Sequence, residues 1–133
     1  MTLVVDASVA VQWVLDEPGT ERALRLRSDD GLIAPSLIAA EVANALWKAV
    51  RRGIVKRTDA MASIGSILIP FEAIIPIEEL RSRALDLAVE LNHPIYDCFY
   101  LALAERERCG LVTADKRLIG AAKKLRHIEI TAL

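Results

Sequence analysis

The chain has 133 residues and a mass of 14.6 kDa, the size of one domain and long enough to bury a core without a disulfide or metal staple. It is 53% hydrophobic and 26% charged, which excludes disordered, collagenous and low-complexity classes. Its formal charge of −1 excludes a bulk polycation, so any nucleic-acid contact must come from local basic patches.

Leu3-Val4-Val5 is a short β-type run, and Ser8 to Leu15 follows with helical spacing. Glu17-Pro18-Gly19 breaks that helix, and Thr20 to Arg27 forms a second with Leu24 on its apolar side. A strand is expected over Gly31 to Ala34. Pro35-Ser36 then opens the clearest helix, which runs to Arg52 and stops at Gly53. Thr58-Asp59 start a helix to about Leu68, and Glu72 to Ile75, between Pro70 and Pro76, suits an edge strand. An amphipathic helix spans Ile77 to Leu91 and another Tyr96 to Arg108, followed by a strand over Gly110 to Thr113. Lys116 to Arg126 is helical and Ile128 to Thr131 closes the chain as a strand. Short apolar strands alternating with helices predict one α/β domain with a parallel sheet covered on both faces.

The N-terminus carries no basic run and Asp6 interrupts it, so it is a poor signal peptide. The apolar stretch Ile67 to Ile77 holds Glu72 and two prolines and is too short to span a bilayer. A cytoplasmic protein with no membrane partner is the expectation. The two cysteines, Cys98 and Cys109, lack C-x-x-C spacing, and two histidines are too few for a zinc finger.

Four acids stand where solvated surface does not explain them. Asp6 and Asp115 each follow an apolar strand and precede a helix, a position that suits an N-cap but is also where ligands bind in parallel sheets. Glu41 shares a helix face with Leu37 and Ala45, and a carboxylate in such a stripe needs a partner, such as Lys48 or an arginine, or a cation. Asp97 opens a helix, and Leu101 and Ala104 place it on an inward face unless it merely caps. Two unit charges about 5 Å apart repel by roughly 3 kcal/mol at an effective dielectric near 20. Four converging carboxylates therefore need proton uptake or a cation. Hard oxygen donors without Cys or His select Mg²⁺ or Mn²⁺, the usual apparatus for attacking a phosphodiester.

The residues that carry this pattern resemble a known family. Val4-Val5-Asp6-Ala7-Ser8, Pro35-Ser36-Leu37 through Glu41 to Leu46, Tyr96-Asp97 with Leu101 to Ala104, and Thr113-Ala114-Asp115-Lys116-Arg117-Leu118 follow in order along the chain. Over essentially its whole length the chain resembles a PIN-domain ribonuclease, specifically the VapC toxins of toxin–antitoxin pairs. The resemblance implies a single PIN-like domain over residues 1–133, a three-layer α/β/α sandwich with a parallel sheet of about five strands in the order 3-2-1-4-5. It implies a catalytic set of Asp6, Glu41, Asp97 and Asp115, with Asp6, Asp97 and Asp115 as metal ligands for Mg²⁺ or Mn²⁺. Ser8 and Thr113 stand where the family has supporting hydroxyls, and Asn44 is a weaker candidate for the same role. A metal-dependent endoribonuclease acting on tRNA or rRNA follows, as do a homodimer and a VapB-like antitoxin partner.

Substrate phosphates need cations near the acids. Lys48, Arg51, Arg52, Lys56 and Arg57 form one basic run and Lys116, Arg117, Lys123, Lys124 and Arg126 another. Arg51, Arg52, Lys116 and Arg117 are the expected RNA contacts, against a reading as helix-end and solvated charge. His93 and His127 stand at no ligand spacing and read as structural or solvated. Trp13 and Trp47 lie in helical apolar stretches and are expected in a core or an interface. Two other classes share the acid pattern. A phosphoaspartate receiver needs paired acids after the first strand, where only Asp6 stands, and a catalytically silent PIN-fold module that binds RNA or protein does not need the acids intact.

Overall fold

A computed structural model describes residues 1–133. Five short strands, β1 (Leu3–Val5), β2 (Leu32–Pro35), β3 (Ala73–Ile75), β4 (Gly110–Thr113) and β5 (Ile130–Ala132), form one sheet. Every pairing is parallel and the order is β3-β2-β1-β4-β5. The expected order is thus observed, with β3 on an edge. Val4, Val5, Leu32 and Leu111 are fully buried, because helices cover both faces of a parallel sheet.

After β1 come α1 (Ala7–Ala10), a 3₁₀ turn (Val11–Trp13) and α2 (Thr20–Leu26). β2 leads into α3 (Leu37–Arg51) and α4 (Arg57–Ile64). A 3₁₀ turn (Ile77–Glu79), α5 (Arg81–Leu91) and α6 (Ile95–Glu107) join β3 to β4, and α7 (Lys116–Ala122) joins β4 to β5. With the right-handed crossovers that parallel strands take, this strand order puts α1–α4 on one face and α5–α7 on the other.

Several expected boundaries move. The helix expected over Ser8 to Leu15 is α1 plus a 3₁₀ turn, and the first residues expected in the Ile77 helix form a separate turn before Arg81. Ser36 does not cap α3; its hydroxyl instead accepts the Ile77 N–H at 3.1 Å. Gly53, at φ 73°, ends α3 as expected. Gly31 enters β2 at φ 80°, and a Cβ there would clash with the Met1 carbonyl oxygen. In α2 the inward residue is Ala23, while Leu24, expected on the apolar side, is exposed.

The sheet's centre is filled by α6, which packs on β1, β2 and β4 and against α5. Seven consecutive residues, Cys98 to Ala104, are buried, so this helix has no polar face over two turns. No helix is long and apolar enough to cross a membrane.

Candidate active site

The order of the strands reverses between β1 and β4, and crevices at the carboxyl ends of such strands bind ligands. Asp6 lies there, its N–H donating to the Val112 carbonyl at 3.0 Å, so the backbone is still held by β4 when the side chain begins. The side chain is buried and does not cap α1. Its Oδ2 instead accepts the hydroxyls of Ser8 at 2.5 Å and Thr113 at 2.8 Å. Those hydroxyls in turn accept the N–H groups of Ala114 at 2.9 Å and Asp115 at 3.0 Å. The acid after β1 is thereby tied to the turn that carries the acid after β4. Burial pushes the Asp6 carboxyl up, the two hydroxyls pull it down, and the charges of Asp97 and Asp115 push it up again.

Asp115 does act as a cap. Its Oδ1 accepts the N–H groups of Arg117 at 2.9 Å and Leu118 at 3.4 Å, which starts α7. The two strand-end acids therefore differ: one caps its helix, the other does not.

Glu41 projects from α3 and finds neither Lys48 nor an arginine as hydrogen-bond partner. Its Oε1 accepts the buried Tyr100 hydroxyl at 2.6 Å. Burial pushes the Glu41 carboxyl up to about 7, with the Tyr100 hydrogen bond opposing and the charges of Asp6, Asp97 and Asp115 adding to the rise. Asp97 stands in the first turn of α6, and its Oδ2 lies 2.6 Å from His93 Nε2.

All four acids line one open cavity of about 470 Å³, together with Ser8, Gln12, Asn44 and Lys48. Gln12 is buried, and its Oε1 is a buried polar atom without a hydrogen-bond partner. The donors fit a hard divalent cation chemically, since they are carboxylates that raise one another's proton affinity. No group of three acidic, histidine or cysteine side chains is drawn together closely enough to grasp one ion. The side chains line the site without being clenched. A larger cavity, about 690 Å³, opens at the other end of the sheet around Met1, Gly110 and Glu129. There Glu105 is held by Arg83 at 2.6 Å and His127 at 2.8 Å, whereas in the smaller cavity neither Asp6 nor Glu41 has a basic partner.

The family described as "PIN domain" matches residues 3–124 of the chain. The chain belongs to the PIN-domain family. It is 36% identical over 121 residues to Ribonuclease VapC3 of Pyrobaculum aerophilum, covering 89% of this chain and 92% of that one. To Ribonuclease VapC12 of Mycobacterium tuberculosis it is 31% identical over 98% of this chain and 99% of that one. The crystal structure of PAE2754 from Pyrobaculum aerophilum shares 26% identity at a TM-score of 0.71, covering 98% of this chain and 83% of that one. The VapBC2 structure from Rickettsia felis, bound to a DNA fragment from their promoter, matches in fold at a TM-score of 0.73 with 17% identity, over 100% of this chain and 99% of that one. PIN-domain ribonucleases generally depend on a divalent metal ion.

Three residues of this PIN domain were not legible as site residues. His93, expected to be structural or solvated, contacts Asp97; their i, i+4 spacing across a helix start was the available signal. Tyr100 lies within the apolar run of α6, and no local pattern links it to Glu41. Gln12 sits in the 3₁₀ turn with nothing to mark it. Among the basic residues, Lys48 lines the cavity, whereas Arg51 lies 4.6 Å over the ring of Trp47. Arg52, Lys116 and Arg117 are exposed. Trp13 is buried against Phe71, as expected for a core tryptophan, but Trp47 is 55% exposed and outside the core of this chain.

Proposed function

We propose that the chain is a VapC-type toxin, a metal-dependent endoribonuclease that uses Mg²⁺ or Mn²⁺ to hydrolyse RNA phosphodiester bonds in tRNA or rRNA. In this reading residues 1–133 form one PIN domain that works as a cytoplasmic homodimer and is silenced by a VapB-like antitoxin. The observation that carries it is the lining of one cavity at the β1/β4 switch point by Asp6, Glu41, Asp97 and Asp115.

A divalent cation bound there supplies Lewis acidity, lowering the pKa of water and neutralising charge that develops on phosphate oxygens. Asp6, Asp97 and Asp115 would hold it. Ser8 and Thr113 fix the Asp6 carboxylate by two hydroxyl hydrogen bonds, so its orientation does not have to be found on binding. Glu41, with its carboxyl near 7 and Oε1 engaged by Tyr100, can take or give a proton at Oε2 near neutral pH. Asn44 offers a polar contact at the cavity wall, and Lys48 brings a cation to it, seven residues along α3 from Glu41 and on the same face. Arg51, Arg52, Lys116 and Arg117 lie further out and attract the RNA backbone.

The test is cleavage of total RNA by antitoxin-free protein with Mn²⁺, with EDTA, and with Asp97→Asn. Discrete fragments that require metal and disappear in the variant are expected. Cleavage that persists in Asp97→Asn identifies a contaminant, and no cleavage with no Mn²⁺ binding identifies a silent binding module.

A further inference from the structure

The loop between α5 and α6 is short and unusually constrained. Asn92 ends α5 in the left-handed conformation, at φ 49°, and the next N–H, that of His93, donates back to the Ala88 carbonyl at 3.1 Å. Pro94 follows with φ −52° and begins the next helix, so His93 is pinned between a helix cap and a ring-locked residue. From that position its imidazole reaches over the first turn of α6 to Asp97, at 2.6 Å. The pair is secluded, with the two side chains 10% and 21% exposed. An ionised carboxylate can only accept, so His93 donates from Nε2. No other protein hydrogen bond reaches the Asp97 carboxylate, and Oδ1 is left without a protein partner while Asp97 lines the acidic cavity.

We propose that His93 is a positioning residue for Asp97: its Nε2–H holds Oδ2 and so presents Oδ1 to a divalent cation in the acidic cavity. This rests on the reading of that cavity as a metal site. The pinned backbone matters because a carboxylate on the first turn of a helix otherwise has several rotamers to choose from, including ones that cap the helix. Ligating carboxylates are commonly held by an outer hydrogen-bond partner, and loss of such a partner typically weakens metal affinity about ten- to a hundredfold.

The measurement is Mn²⁺ affinity by titration calorimetry on the purified, antitoxin-free chain, with metal-free thermal melts beside it. His93→Phe keeps the volume of a ring but has no donor, and His93→Ala removes both. His93→Gln places an amide N–H near the position of Nε2. Mn²⁺ affinity is expected to fall about tenfold or more in His93→Phe and His93→Ala, and to stay within about threefold of the original in His93→Gln. Affinity that is unchanged or tighter without the donor overturns the proposal, tighter binding showing that His93 competes with the cation for Asp97. A glutamine variant as weak as the phenylalanine one also overturns it. Asp97→Asn separates the two levels: wild-type binding that this change weakens, together with indifference to His93, sinks only the positioning role. Absence of wild-type Mn²⁺ binding sinks the metal site and the proposal with it.

Discussion

Asp6 is buried, and two hydroxyls are its only side-chain hydrogen-bond partners in the protein. Thr113→Val keeps the shape of the side chain and removes one of them. This removes a buried hydrogen bond and leaves the Asp115 N–H without its side-chain acceptor, and stability is expected to drop by about 1–3 kcal/mol in urea unfolding. RNA cleavage should fall with it, since the Ser8 hydroxyl is then the only one left to orient the carboxylate. Glu41 produces a pH effect of the opposite kind from an ion-paired acid. Its folded carboxyl titrates at about 7 against an ordinary 4.5, so between those values the folded state holds a proton that the unfolded chain has released. The metal-free protein should therefore lose stability as the pH rises from 4.5 to 7, and the slope from this group should end above that. Urea melts at pH 5 and pH 7.5 should differ less in Glu41→Gln than in the original protein.

At the scale of elements, α6 does two jobs with one helix. Its middle is the most deeply buried helical segment, with Leu101 and Leu103 fully inaccessible, and its first turns carry both Asp97 and the Tyr100 that holds Glu41. Core volume and site geometry are thus coupled. Leu101→Ala is expected to cost about 2–5 kcal/mol in urea unfolding, depending on how far the cavity collapses. Val89→Ala on α5, at a residue 76% exposed, should stay within about 0.5 kcal/mol. A second element-scale feature is the outer side of α3. Trp47 is exposed there, with Arg51 stacked on the indole, and Met61 is exposed on α4 across an apolar groove between the two helices.

The two ends of the sheet differ in how their charges are settled. At the far end Glu105 is paired with Arg83 and His127, and the Arg83 hydrogen bonds hold its carboxyl down to about 2. At the switch-point end Asp6 and Glu41 are pushed up by burial and by their acidic neighbours, and no ion pair offsets them. That imbalance is a cost to the folded state that a cation can relieve. A cation that binds only the folded protein stabilises it by about 2.7 kcal/mol at a hundredfold its Kd. Mn²⁺ should therefore raise Tm by several degrees in a thermal melt, EDTA should reverse the rise, and Asp6→Asn should abolish most of it.

The strands and the four acids of the cavity were legible in the chain because their signals are local. Leu3 to Val5 and Gly110 to Thr113 are apolar runs ended by an acid, and a carboxylate in an apolar helix stripe, as at Glu41, is costly wherever the helix lies. Whether each acid capped a helix was not legible, since Asp6 and Asp115 have the same surroundings in sequence and only Asp115 caps. Helical periodicity shows which way Glu41 points and not what waits there. Its partner, Tyr100, is 59 residues away, and the Thr113 that holds Asp6 is 107 residues away. Trp47 shares the apolar character of its helix, but the packing of α3 left it outside the core. Strand order came from the family resemblance, because apolar periodicity specifies that a segment pairs but not with which neighbour. Residue chemistry and element type were set by the amino-acid sequence read locally. Which carboxylates share a cavity, and which hydroxyl, phenol or imidazole holds each one, was decided by the crossovers that bring β1, α3, α6 and β4 to one end of the sheet.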